Sequence, residues 1–346
     1  MSKKLLKQVV GIDVAQQKID VCLGVMDEHT EIEICAYNTF NNNQKGHLTF
    51  VQWVKKHTQT DVSLKFVMEA TGVYHERLAY FLTENFLNVS IVMPNKITNF
   101  FRTLEIKTVT DKSMSFAIAM FGLEKKMDTW QRPNKAYRQL RQLTREREQL
   151  VMERTVAKNQ LHAEQVEAYP HDKAIARVLD RINLLDQQIA EVVSDIKKVS
   201  EKDEEVKNSI KLLSTIPGIG LLTAAHILGE TDGFALIRNK KQLTSYAGLD
   251  VKEKESGTSI KGKPRISKRG NKYLRKAMHL PALAAVKCND HYKAIYARIV
   301  AKTGVKMKAA VAIQRKLLEL TFTLYKNKKE FDINYFESLQ KRVATE

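Results

Sequence analysis

No stretch of this 346-residue chain is apolar for long enough to cross a bilayer, and Met1 to Gln8 lacks the apolar core of a signal peptide. A reduced, cytoplasmic protein with no membrane partner is expected. Glycine and proline are scarce, at 14 and 6 residues, which argues against low-complexity classes; 43% apolar residues argue for packed cores. The three cysteines share no metal-like spacing, so zinc-knuckle and disulfide frameworks are excluded. Cys22 and Cys35 lie in apolar, strand-like runs and read as inert core thiols. Acidic residues are absent from 256 to 289, a segment that holds nine Lys or Arg.

The charge that is present is unevenly placed. After position 250 there are 23 basic and 8 acidic residues, leaving 34 against 31 before it. A cationic C-terminal third on a nearly neutral body reads as a surface for a polyanion, most simply nucleic acid. A solvated lysine-rich face is the plainer alternative, but such faces ordinarily carry acids as well.

Residues 1–130 read as an α/β domain. An apolar run from Gln8 to Val14 carries Asp13 near its end, and a polar turn follows at Ala15-Gln16-Gln17. Ile19 to Met26 and Glu31 to Tyr37 alternate as the next two antiparallel strands. Then come a helix at Gln44 to Lys56, a buried-type strand from Leu64 to Glu69, and a helix at Val73 to Asn85. A strand at Val89 to Met93 and a helix at Lys112 to Lys125 complete the domain. Three strands, a helix, then alternating strand and helix is the order of an RNase H-like fold.

The acids fall where that fold uses them. Asp13 lies on the first strand, Glu69 ends the fourth, and Asp111 precedes the last helix. Carboxylates converging from neighbouring strands can hold Mg2+ or Mn2+ for phosphodiester displacement. Each acid has a plainer reading: Asp13 ends a strand, Glu69 pairs with Arg77, Asp111 caps a helix. Taken together they favour a metal site.

Trp130-Gln131-Arg132-Pro133 reads as a linker into a second region, 131–208, which has neither Gly nor Pro from Lys135 until Pro170. Leu140, Leu143 and Leu150, then Ile175, Leu179, Ile182, Leu185, Ile189, Val193 and Ile196, recur at short helical steps. Two long helices joined near Tyr169-Pro170-His171 follow, as a coiled-coil spacer or an oligomerisation arm. Residues 209–346 read as mainly helical, with helices at 273–287 and 305–325. Ile216-Pro217-Gly218-Ile219-Gly220 before an apolar helix resembles a helix–hairpin–helix, in which Gly218 and Gly220 let backbone N–H groups meet a phosphate. An ordinary tight turn is the alternative. Lys261, Lys263, Arg265, Lys268, Arg269, Lys272 and Arg275 form the basic run.

Gly11-Ile12-Asp13-Val14, Met68-Glu69-Ala70-Thr71-Gly72-Val73-Tyr74, Thr110-Asp111-Lys112, Ile216 to Gly220, and Ser256-Gly257 ahead of Ile266 to Arg275 occur in one order along the chain. In these motifs the chain resembles the IS-one-ten family of insertion-sequence transposases. The resemblance implies a RuvC-like domain with a D-E-D-D cluster, a coiled coil, and a transposase domain with a nucleophilic serine. It implies recombination of donor and target DNA directed by a structured non-coding RNA. By matching motif, Asp13, Glu69 and Asp111 take the first three acids and Ser256 the nucleophile. The fourth acid falls at Met114, whose thioether does not replace a carboxylate for Mg2+.

Ser256 has no His nearby in sequence, so a hydrolase triad is not indicated. Serine attack on phosphorus leaves a phosphoserine and a free DNA hydroxyl, with the basic run neutralising the backbone. A RuvC-like metal nuclease without a covalent intermediate, and an impaired nucleic-acid-binding copy suggested by Met114, are the rival readings. Strand exchange needs several active sites, so a dimer or tetramer acting on nucleoid DNA is expected.

Overall fold

A computed structural model describes residues 4–332 apart from 71, 236, 253–254, 257–259 and 262–264, with backbone alone at 255, 256, 260 and 261. The chain divides into two compact units, Met1–Arg132 and Pro133–Glu346.

The first unit runs β1 (Leu5–Val14), β2 (Lys18–Asp27), β3 (Ile32–Asn41), α1 (Gln44–His57), β4 (Leu64–Glu69), α2 (His75–Glu84), β5 (Val89–Val92), α3 (Pro94–Phe101) and α4 (Asp111–Glu124). Its sheet has the order β3-β2-β1-β4-β5. β2 is antiparallel to both neighbours, while β1, β4 and β5 run parallel. This is the RNase H-like arrangement expected from the sequence, with α3 as an unanticipated addition. Alternate residues face opposite sides of the sheet. Val10, Ile12, Phe66 and Met68 pack with Phe50 of α1 and Leu78 and Leu82 of α2. Val9 and Val67 face the other way, onto Ile97 of α3 and Ile118 of α4.

Gly11 lets α4 lie directly on β1. A Cβ there would come within 2.3 Å of the Ala119 nitrogen and 2.4 Å of the Ser115 carbonyl oxygen. Cys22, paired with Gly11, is buried as expected, and burial pushes its thiol up to about 11. Cys35, expected in a core, is exposed. The register shifts there, Leu23 pairing with Ala36 and Gly24 with Ile34, so Cys35 is the extra residue of a bulge on an edge strand.

The second unit begins with α5 (Lys135–Gln165) and α6 (Asp172–Lys202). They run antiparallel, with Arg154 bonded to Asp186 at 2.5 Å and Arg181 to Gln160 at 3.4 Å. The buried seam of α6 is Val178, Ile182, Leu185, Ile189, Val192 and Ile196. Leu179 and Val193, expected in that seam, are one position off. Strict alternation of four- and three-residue steps keeps a stripe facing its partner, and only Val178 and Val192 satisfy it.

Next come α7 (Glu204–Ser214), α8 (Leu221–Thr231) and α9 (Lys240–Tyr246), then the short strands β6 (Val251–Lys252), β7 (Glu255–Ser256), β8 (Ile260–Lys261) and β9 (Arg265–Ile266). The unit ends with α10 (Lys272–Ala277), α11 (His279–Cys288), α12 (Asp290–Thr303) and α13 (Lys306–Asn327). Tyr137, Leu140, Val192 and Ile196 at the base of the helix pair share a core with Leu213, Leu228, Leu274 and Leu317. Residues 131–208 and 209–346, separated by sequence analysis, therefore lie in one unit. The single helix expected at 273–287 is two, because Pro281 lacks an N–H and is accommodated in the first turn of a new helix. α12 was not anticipated.

Candidate active site and nucleic-acid interface

Strand parity sets the positions of the acids. Asp13 shares a face of β1 with Val9 and Gly11, and Glu69 shares a face of β4 with Val67, the residue paired with Gly11. Both carboxylates therefore stand on the α4 side of the sheet. The N-cap of α4 is Thr110, whose hydroxyl accepts from the Ser113 amide while the Ser113 hydroxyl accepts from the Thr110 amide. Asp111, given a capping role as its plainer reading, is instead the first helical residue. Its carboxylate meets the Lys18 ammonium at 2.6 Å.

A further acid, Asp20, was missed by sequence reasoning. It pairs directly with Asp13 across β1 and β2 and is 3% exposed. Its Oδ1 accepts from the Tyr37 hydroxyl at 2.5 Å and the Thr39 hydroxyl at 2.8 Å, and its Oδ2 lies 3.2 Å from Lys18. The available signal was a charge inside the apolar run Ile19 to Val25.

These neighbours separate the two aspartates. Burial first, then the negative charges of Asp111, Glu69 and Asp20, pushes the Asp13 carboxyl up to about 6. Burial also works against ionised Asp20, but bonds from Tyr37, Thr39 and Lys18 override it and hold the carboxyl below its ordinary value. Among the described residues, no group of three or more His, Cys, Asp or Glu side chains is arranged as it stands to hold a metal ion. The donor chemistry still suits a hard divalent ion, since Asp13, Glu69 and Asp111 offer only oxygen and a cation would relieve the repulsion on Asp13.

In the second unit the short strands form two antiparallel pairs, β6 with β9 and β7 with β8. Val251 pairs with Ile266, Lys252 with Arg265, Glu255 with Lys261, and Ser256 with Ile260. Ser256 is thus a paired residue in a segment whose two ends are joined at Asp250 and Ser267. The Ser267 amide donates to the Asp250 carbonyl at 2.8 Å, its hydroxyl to Asp250 Oδ1 at 2.5 Å, and the Lys268 amide to the Gly248 carbonyl at 3.1 Å. The side chains of Ser256 and Lys261, and Lys263 altogether, lie outside the described residues. Arg265, Lys268, Arg269 and Lys272 are exposed, and the Lys272 ammonium lies over the Tyr273 ring.

Behind this basic surface sits Glu230, with a side chain 1% exposed. Arg145 grips it at 2.6 and 2.8 Å, and Asn271, the N-cap of α10, donates at 2.6 Å. The Tyr246 hydroxyl donates to the Glu230 backbone carbonyl at 2.9 Å. Burial alone would raise the Glu230 carboxyl, but these donors hold it below its ordinary value.

A transposase model of the DEDD, IS110 type matches residues 10–170, and a transposase model of the IS116/IS110/IS902 family matches residues 210–297. The pilin gene-inverting protein of Moraxella bovis is 31% identical over 331 residues, covering 94% of this chain and 98% of its own. The chain belongs to the IS110 family of transposases. A further relative, the insertion element IS110 uncharacterized 43.6 kDa protein of Streptomyces coelicolor, is 30% identical over 34% of this chain and 28% of its own. Among solved structures, T. thermophilus RuvC in complex with Holliday junction substrate is similar over 36% of this chain and 99% of its own, at 7% identity and a TM-score of 0.28.

Three positions in this transposase have a packing role beside their expected one. Met114, at the fourth-acid position, packs against the cluster of Val9, Val67, Val92, Ile97 and Ile118. Gly218, at φ +85°, lies where a Cβ would approach the Pro281 carbonyl oxygen to 2.4 Å, whereas Gly220 at the start of α8 faces open space. The Arg275 guanidinium donates to the Ala247 carbonyl at 2.8 Å. Among the described residues no helix is long and apolar enough to cross a membrane.

Proposed function

We propose that this transposase recombines insertion-sequence DNA through Ser256, with Asp13, Glu69 and Asp111 as the ligands of Mg2+ or Mn2+ and a structured RNA as guide. The observation that carries the reading is the electrostatic convergence of Asp111 and Glu69 on Asp13, in a chain whose other unit bears Ser256 on a hairpin rooted in its basic segment. A bound divalent ion supplies Lewis-acid stabilisation of charge on phosphodiester oxygens. Ser256 Oγ bonds to phosphorus as its proton passes to solvent, and the phosphorus–oxygen bond to the neighbouring nucleotide breaks. The products are a phosphoserine and a free DNA hydroxyl, and attack by a hydroxyl of another strand reverses the step. Arg265, Lys268, Arg269 and Lys272 neutralise the DNA backbone, and α8, with Gly220 at its N-cap, offers N–H groups to a phosphate as in a helix–hairpin–helix. The α5–α6 pair serves as a coiled-coil arm for assembly into a dimer or tetramer. The Moraxella relative is named for gene inversion, which is itself a rearrangement of DNA.

Met114 favours a second reading, an impaired copy that binds nucleic acid without cutting it, because an apolar side chain stands where an acid is expected. The test is a denaturing gel of the protein with its element-end DNA, the element's RNA and Mg2+. A protein–DNA adduct that disappears in Ser256→Ala is expected. Cleavage without an adduct, unchanged in Ser256→Ala, would replace serine chemistry by water attack at the acids. Binding without cleavage under any divalent ion would leave the impaired copy.

A further inference from the structure

The acid end of the first sheet carries a cation of its own. Lys18 opens β2, and its ammonium lies 2.6 Å from Asp111 Oδ2 and 3.2 Å from Asp20 Oδ2. Asp20 is itself fixed: its side chain is 4% exposed and its other oxygen takes two hydroxyl bonds. The Lys112 ammonium lies over the Tyr37 ring at 5.1 Å, covering the residue that makes one of those bonds. A carboxylate so enclosed is spent on holding Lys18 and is a poor candidate for a metal ligand.

An ammonium has three donors and no acceptor. Asp20 and Asp111 take two of them, and the Lys18 side chain is 46% exposed, so the third donor is accessible from solvent. A DNA phosphate arriving here brings negative charge toward Asp13, Asp20, Glu69 and Asp111. Like charges oppose one another, and Lys18 is a cation bonded to two members of this group, Asp20 and Asp111.

We propose that Lys18 is a substrate-contacting residue of this transposase: anchored by Asp20, it donates to a non-bridging oxygen of the DNA phosphate that meets the acid cluster. The proposal rests on the reading of Asp13, Glu69 and Asp111 as the divalent-ion site. Asp20 is then a positioning residue, acting through Lys18.

The test is fluorescence anisotropy of the full-length protein with a labelled random-sequence duplex, titrated with salt in the absence and presence of Ca2+. Ca2+ is expected to strengthen binding by the natural protein, and Asp13→Asn to remove that gain. Lys18→Ala, which deletes only a half-exposed side chain, is expected to lose about fivefold in the Ca2+-supported affinity. The slope of log affinity against log salt falls by about one. Lys18→Arg restores both. A Lys18→Ala protein with the full Ca2+ gain and an unchanged slope overturns the role of Lys18 and leaves the acid site standing. A gain that survives in Asp13→Asn overturns the divalent-ion reading, and the proposal falls with it.

Discussion

Glu230 in the second unit and Asp13 in the first are both drawn well out of water, and their surroundings treat them in opposite ways. Glu230 is met by Arg145 and Asn271, and its carboxyl is held low. Asp13 is met by Asp20, Glu69 and Asp111, and its carboxyl is pushed up to about 6. A carboxylate surrounded by donors is saturated and serves the fold. A carboxylate among carboxylates is destabilising as it stands, and is the arrangement in which a cation or a proton has work to do. Asp20 makes the same point at shorter range, since it is the direct partner of Asp13 yet belongs to the saturated class.

The comparison breaks most readily at Arg145. Arg145→Ala leaves buried Glu230 without its charge partner and should lower the unfolding free energy by about 3 kcal/mol, read from the denaturant midpoint. A loss below about 1 kcal/mol would put the pair in the class of surface ion pairs and remove the contrast.

Asp13→Asn should act in the other direction. The folded-state carboxyl sits above its ordinary value, so ionisation costs stability; that cost is absent below about pH 4 and complete above about pH 6. Discounting for partial exposure, the variant should be more stable by about 1–2 kcal/mol at about pH 8, with the advantage gone at about pH 4. Thermal unfolding at the two pH values reads this directly. A variant less stable than the natural protein at about pH 8 would mean that Asp13 is as well satisfied as Glu230.

The smallest effect is expected at Met114→Asp. It sets an acid beside Val9 and Val67 at a partly buried position, and should cost about 1 kcal/mol. The same change adds a carboxylate to the acid end of α4, so a gain in cleavage despite lower stability would sharpen the distinction between residues that serve the fold and residues that serve chemistry.

The sheet was legible in the sequence because β1, β2 and β4 carry apolar runs too short to form buried helices, and the acids Asp13 and Glu69 could be read at their ends. Asp20 was not legible, because its meaning depends on cross-strand register with Asp13 and on hydroxyls from β3. The Glu230 cluster was hidden for a similar reason: Arg145 and Asn271 stand 85 and 41 residues away in sequence. The hairpin bearing Ser256 escaped notice because Val251 to Glu255 alternates charge with little apolar content. Helix periodicity gave the α5–α6 pair but misassigned Leu179 and Val193, since apolar residues adjacent to the seam are indistinguishable until the partner helix selects one phase.

The pinned base of the Ser256 hairpin has an evolutionary consequence. Because Val251 is paired with Ile266 and Asp250 with Ser267, the two ends of the segment that bears Ser256 are held together by the body of the second unit. With its ends so held, added length destabilises a segment only slowly, at about 0.6 kcal/mol for each doubling in the flexible limit. A change of length between those ends that spares Ser256 and the basic residues is thus the kind of change that one mobile element can differ by from the next while the scaffold that holds the ends is inherited unchanged.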